Sequence, residues 1–363
     1  MRPPFDGDAL DRPAIEAWLR ETGEVRLERL WEAADRVRAE RVGEAVHLRG
    51  LVEVSNYCVR QCAYCGIAAC AGPLERYRLD HDEILDAARK ALDLGFGTVV
   101  LQSGEDPGLT RAFIARVVAA IHGELGLAIT LSLGERDDGD LAAWRDAGAD
   151  RYLLRFETTD PALYAAIHPG LPGKASDRIA QLVRMREMGY EVGTGVMVGI
   201  PGQTWATLAR DIDTFRQFDM DMIGIGPYLP SPRTPLAGPL REQLLAPPGE
   251  QVPNDEVTTL KAVALTRLVC PDTNIPSTTA LSILDPGAGR RNGLTRGANV
   301  VMPNLTPPHY RRLYQIYPGK AAVHESVETL AENVVRLIAS LGRTIGKGPG
   351  GRGTGSENVK GKM

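Results

Sequence analysis

Three cysteines, Cys58, Cys62 and Cys65, stand in the stretch SNYCVRQCAYCGIAA (55–69) with C-x3-C-x2-C spacing. Three thiols are an odd number for disulfides and one short of a closed zinc site. On one loop they can instead bind three irons of a cubane [4Fe–4S] cluster, because each corner takes one ligand. The fourth iron then keeps an open position, the mark of a metal site that does chemistry rather than one that staples a fold. A small chelator with an amine and a carboxylate could occupy it. A structural zinc site would need Cys70 as fourth ligand at an awkward spacing. Unliganded core thiols fit poorly with the polar, loop-like residues around them. Cys70 and Cys270 read as ordinary thiols, Cys270 on an apolar helical face.

The 363 residues are 43% hydrophobic and 24% charged, which suits a globular chain with a sizeable core. A net charge of −4 gives no electrostatic case for nucleic acid or an anionic membrane. There is no apolar run long enough to span a bilayer, and the first thirty residues are too charged for a secretory signal. These features lead us to expect the reducing cytoplasm, where clustered cysteines more often hold metal than form disulfides.

The elements that must position the thiols alternate along the chain. A helical pattern from about Pro13 to Glu40 comes first. Short apolar runs then follow: RGLVEVSNY, GTVVLQSG, LAITLSLG, RYLLRFE, YEVGTGVMVGI, DMIGIGPY, NIPSTTAL and ANVVMPNL. Amphipathic stretches such as DEILDAARKALDLG and SDRIAQLVRMREMG separate them, several closing on Gly as helix ends do. Eight strands with helical returns predict a complete (β/α)8 TIM-type barrel, with a doubly wound open sheet as the alternative. The expected division is an N-terminal helical extension (1–45), the barrel (46–342) and a disordered Gly-rich tail (343–363). The cysteine loop follows the first strand, at the face where barrel active sites sit.

With Tyr64 just before its last cysteine, this motif resembles the signature of the radical SAM superfamily. The resemblance implies one [4Fe–4S] cluster on Cys58, Cys62 and Cys65. Its open iron would chelate S-adenosylmethionine (SAM), to be cleaved reductively to a 5′-deoxyadenosyl radical. From about residue 45 to 320, blocks such as VVLQSGEDPGL, ADRYLLRFETTDPALYAAIHPG, GTGVMVGIPGQT and ANVVMPNLTPPHYRRLYQIYPGK resemble the HydE family of [FeFe]-hydrogenase maturases, in the biotin synthase-like group. By that resemblance Gln102, in QSGED, contacts SAM and Glu157 holds its ribose or amine. Arg178 pairs the methionine carboxylate, and Met197 and Leu229 line the adenine side. Ser103, Thr130 and Arg155 would bind anionic groups of an iron-bearing substrate, with Met222, Thr278, Thr279, Met302, Tyr314 and Tyr317 lining the interior.

Arg155 and Glu157 lie two residues apart on one strand face, and a buried arginine needs an anionic partner. The implied substrate is a cysteine-ligated Fe(CO)2(CN) complex. The implied partners are the HydG and HydF maturases and an electron donor of flavodoxin or ferredoxin type. Some members of the family carry a second cysteine trio near the carboxyl end. Here AAVHESVETLAENVVRLI has none, so a single cluster is expected. Rival readings are a methylornithine synthase-like mutase acting on lysine, a non-catalytic iron–sulfur scaffold and a zinc hydrolase. The last is disfavoured because the six histidines are scattered.

Overall fold

A computed structural model describes residues 10–173, 176–319 and 326–352. The N-terminal helical pattern splits into α1 (Arg12–Leu19) and α2 (Glu24–Val42). Asp11 caps the first through its side chain, and Gly23 sits at the N-cap of the second. Both helices pack on the outside of later ones, α1 against Trp205–Gln217 and α2 against Glu256–Val269.

The apolar runs become β1 (Ala45–Ser55), β2 (Thr98–Ser103), β3 (Ala128–Ser132), β4 (Arg151–Leu153), β5 (Glu191–Val198), β6 (Met222–Pro227) and β7 (Val300–Val301). A short β8 (Thr344–Ile345) adds to the start of β1. All pairs are parallel and the order is β6-β5-β4-β3-β2-β1-β7. Helices return between the strands. The one at His81–Asp93 starts from a capping box, in which Asp80 and Glu83 each accept the other's backbone N–H. Side chains from both layers merge into one large core that includes Trp144, Phe156 and Phe215.

The expected seventh strand, NIPSTTAL, forms no ladder. Single bridges join Asn274 to Met222 of β6 and Pro276 to Val300 of β7, and helix begins at Thr279. Pro276 has no N–H to donate, so pairing cannot propagate through it. The observed ladder is therefore a seven-strand, half-barrel-like parallel sheet, curled so that the 274–276 segment stands between its two ends.

The tail also departs from expectation. Residues 343–352 fold under the amino ends of the strands, where Pro349 O accepts from Thr98 Oγ1 (2.8 Å) and Arg151 Nη2 (3.0 Å). Gly350 O accepts from Arg49 Nη2 at 2.9 Å. Arg49 needs that carbonyl, because it is buried and lies beside Arg151, and both effects push its pKa down to about 9. The remainder of the expected tail, 353–363, lies outside the described residues.

Candidate active site

Parallel strands put all their carboxyl ends on one rim, and the loop after β1 crosses it. That loop is held at many points. Asn56 Nδ2 donates to Glu75 O and Leu313 O, and its Oδ1 accepts from Tyr77 N. Arg76 spans Asn56 O and Ile67 O. Gly66 N donates to Ile316 O at 2.7 Å, and Val59 N to Glu105 O at 3.0 Å. Ser55 Oγ and Arg78 both hold Asp106, Arg78 through two bonds of 2.7 and 2.9 Å. Burial works against that carboxylate, but Arg78 and Ser55 outweigh it and keep its pKa low.

Gly104, inside QSGED, lets β2's end touch this loop. A Cβ there would lie 2.2 Å from the Tyr57 carbonyl oxygen and 2.7 Å from Cys58 Cβ. The three thiols are thus fixed before any metal arrives. Burial pushes all three pKa values up, Cys65 to about 12, so iron must displace protons to bind.

The thiols line a cavity of about 310 Å³. Its wall also contains Tyr64, Gln102, Glu157, Arg178, Met197 and Leu229, the residues expected to contact SAM. Ser103, Arg155, Met222, Thr278, Thr279, Met302, Tyr314 and Tyr317 line it too. Thr130 does not. It is fully buried two residues deeper along β3 than Ser132, on the same strand face, and its Oγ1 has no hydrogen-bond partner.

Within the cavity Arg155 finds its expected carboxylate partner: Nη2 lies 3.3 Å from Glu157 Oε2 and donates to Val196 O at 2.6 Å. Glu157 has φ 64°, a left-handed conformation that costs a non-glycine residue about 1–2 kcal/mol. Its N–H donates to Gly195 O at 3.1 Å, and Tyr64 OH approaches Oε1 at 3.5 Å. Such strain persists where surroundings over-determine it, as active sites do. Gln102 Nε2 donates to Tyr314 OH at 3.2 Å.

A buried charge array beside the thiols was not anticipated. Arg60 Nε donates to Glu105 Oε1 (2.8 Å), and its Nη2 lies 2.9 Å from Glu135 Oε2. Glu135 Oε1 accepts from Ser176 Oγ (2.7 Å) and Arg178 Nε (3.0 Å). Burial opposes ionisation of Glu135, but Ser176, Arg178 and Arg60 together hold its pKa down. Burial and the two arginines drive His168 down to about 3, so its neutral Nε2 accepts from Arg178 Nη2 at 2.5 Å. Arg178 thus belongs to a buried ion-pair array. Its sequence signal was Arg60's position between two motif cysteines and Glu105's within QSGED.

The donor set fits a polynuclear cluster. Among the described residues no three His, Cys, Asp or Glu side chains converge where a single metal ion would sit. Three thiols that stay apart suit the corners of a cubane, whose thiolates bind different irons. Carboxylate and guanidinium groups close by suit an amino-acid chelator.

The family model for the Radical SAM superfamily matches residues 52–215. The chain is 44% identical over 325 residues to "[FeFe] hydrogenase maturase subunit HydE" of Thermotoga maritima, covering 90% of this chain and 89% of that protein. It is 30% identical to 3-methylornithine synthase of Methanosarcina acetivorans, covering 82% and 80% of the two chains. The crystal structure of methylornithine synthase (PylB) superposes with a TM-score of 0.81 at 26% identity, over 98% of each chain. The chain therefore belongs to the radical SAM enzymes. The family model over the cysteine loop and the first strands, together with the 44% identity over nearly the whole chain, fixes that much. Within that superfamily it is a member of the HydE family, on identity that extends through nearly the whole chain.

Proposed function

We propose that the protein is a radical SAM maturase that works on a cysteine-ligated Fe(CO)2(CN) complex, toward the two-iron subcluster of [FeFe]-hydrogenase. The observation that carries this reading is one cavity lined both by the three thiols and by the Arg155–Glu157 pair. When bound, one reduced [4Fe–4S] cluster with SAM supplies a 5′-deoxyadenosyl radical. The rest falls to the chain. Cys58, Cys62 and Cys65 would hold the cluster. Gln102, Glu157 and Arg178 would orient the SAM amine, ribose and carboxylate, and Met197 and Leu229 would cover the adenine. Arg155 and Ser103 would bind the anionic ligands of the substrate, as a guanidinium fork and a hydroxyl do. Met222, Met302 and the buried Tyr314 wall the cavity and keep bulk water from a reactive centre.

Reading the 274–276 segment as a short seventh strand would make the barrel complete, with 1–45 as an extension and 46–342 as the barrel proper. The HydG and HydF maturases, as source of the substrate and recipient of the product, are proposed as partners. A flavodoxin- or ferredoxin-type donor is proposed as reductant, and the cytoplasm as location. No helix among the described residues is long and apolar enough to cross a membrane.

Likeness to methylornithine synthase over the full chain gives lysine rearrangement a place as second reading. One anaerobic experiment separates the two. Protein reconstituted with iron and sulfide receives dithionite and SAM, and 5′-deoxyadenosine is measured with the iron complex, with lysine, or with neither. The maturase reading expects deoxyadenosine to give way to an adenosyl adduct when the complex is present. Cleavage that responds only to lysine would replace it by the mutase. Cys62→Ala should abolish both cluster and cleavage, and a variant still cleaving SAM would refute the site.

A further inference from the structure

Arg178 is the guanidinium expected at the methionine carboxylate, yet each of its three nitrogens already has a protein partner. Nε donates to Glu135, Nη1 to Arg155 O at 2.6 Å, and Nη2 to His168. Arg60 differs. Its side chain is 1% exposed, and two of its nitrogens face Glu105 and Glu135. Both of its Nη nitrogens are buried without a hydrogen-bond partner, Nη2 meeting Glu135 only as an ion pair and Nη1 meeting nothing, although the residue lines the same cavity between Cys58 and Cys62. An unsatisfied buried N–H on a cation is costly, and such groups in native proteins call for a ligand or an ordered water.

We infer that Arg60 is a second carboxylate-binding guanidinium of the SAM site, donating from Nη1 to the methionine carboxylate; this rests on the radical SAM reading above. Glu105 and Glu135 hold the rest of the fork, so the free nitrogen is oriented before SAM arrives. The array of two arginines and two glutamates is formally neutral, which leaves the carboxylate to be recognised by aimed N–H groups rather than by net charge.

Arg60→Lys tests this. The ammonium can sit between the two glutamates and keep the array paired, but it leaves no third nitrogen for the cavity. Iron content and the EPR signal of the reduced, SAM-free cluster should match the parent. The SAM concentration that produces the SAM-bound EPR spectrum should rise about tenfold or more, the size of one lost charge-assisted hydrogen bond. Decarboxylated SAM, which lacks the group in question, should bind parent and variant equally. Arg60→Gln is run in parallel in case lysine disturbs loading. A SAM affinity within twofold of the parent overturns the inference, as does an equal loss for SAM and decarboxylated SAM. So does failure of both variants to hold iron, which would make Arg60 an assembly residue. A parent cluster whose spectrum ignores SAM would instead overturn the radical SAM reading itself.

Discussion

Gly104→Ala gives a sharp test of whether the thiols depend on a rigid cradle. The φ of Gly104 lies outside the left-handed region, so an alanine brings no torsional strain and acts by volume alone. Its methyl would meet the Tyr57 carbonyl oxygen at 2.2 Å and Cys58 Cβ at 2.7 Å. Ordinary contact begins near 3.5 Å, so the cysteine loop would have to retreat by roughly 1 Å. The loop is tied by Asn56, Arg76, Asp106 and Glu105, so the retreat strains several bonds together.

Overpacking of this kind costs about 1–3 kcal/mol, which in a chain of this size lowers the melting temperature by about 1–4 °C. A catalytic displacement of about 1 Å can cost roughly a hundredfold in rate. The assay is iron per chain after anaerobic reconstitution, then SAM cleavage by the loaded fraction, with melting of the iron-free protein alongside. Gly123→Ala, where an added methyl meets nothing within 4 Å, is the control and should be neutral. Parent-level iron and parent-level cleavage in Gly104→Ala would show that the loop yields freely and that the cradle argument is wrong.

Arg155→Met should leave iron content and SAM affinity within about threefold of the parent while raising the KM for the iron complex about tenfold or more, the loss expected of a charged hydrogen bond; an equal loss of SAM affinity would move Arg155 out of the substrate site. Asp211 is buried and accepts from Thr159 N and Oγ1, and burial, only partly offset by those bonds, raises its pKa to about 6. In the fold it keeps its proton up to about pH 6, whereas in the unfolded chain it ionises from about pH 4. Its contribution is therefore present at low pH and is lost between about pH 4 and pH 6, about 3 kcal/mol in all. Asp211→Asn should gain on the parent across that window in denaturant titrations at each pH, and a constant difference would refute the assignment. Gly97→Ala would drive a Cβ into the Gly348 carbonyl, 1.8 Å away, so trypsin should cleave at Lys347 far faster than in the parent; unchanged cleavage would mean that the tail is not seated there in solution.

Seven of the eight expected strand runs appear where the hydrophobic pattern puts them, because residues buried on both faces of a parallel sheet leave long apolar stretches. The failures have local causes. NIPSTTAL carries the composition of a strand, but a proline removes its donor and a helix starts five residues on from Asn274. GKGPGGR reads as disorder by composition. Its glycines instead allow backbone to press on backbone under the amino ends of the strands, with carbonyls turned toward Arg49, Arg151 and Asn274.

The charge array shows where a one-dimensional reading stops. Arg60, Glu105, Glu135 and Arg178 lie 30 to 118 residues apart, and each alone looks like surface charge. What brings them together is strand order. β1, β2 and β3 are consecutive neighbours in a parallel sheet, so the loops leaving their carboxyl ends must adjoin on one rim. Arg60 follows β1, Glu105 follows β2 and Glu135 follows β3. Once a barrel is inferred from the alternation, opposite charges in successive βα loops are candidates to pair across that rim. Charges beside a cysteine motif are the ones to test first. The array was thus legible in the sequence, but only on a second pass, after the fold had converted distance along the chain into adjacency.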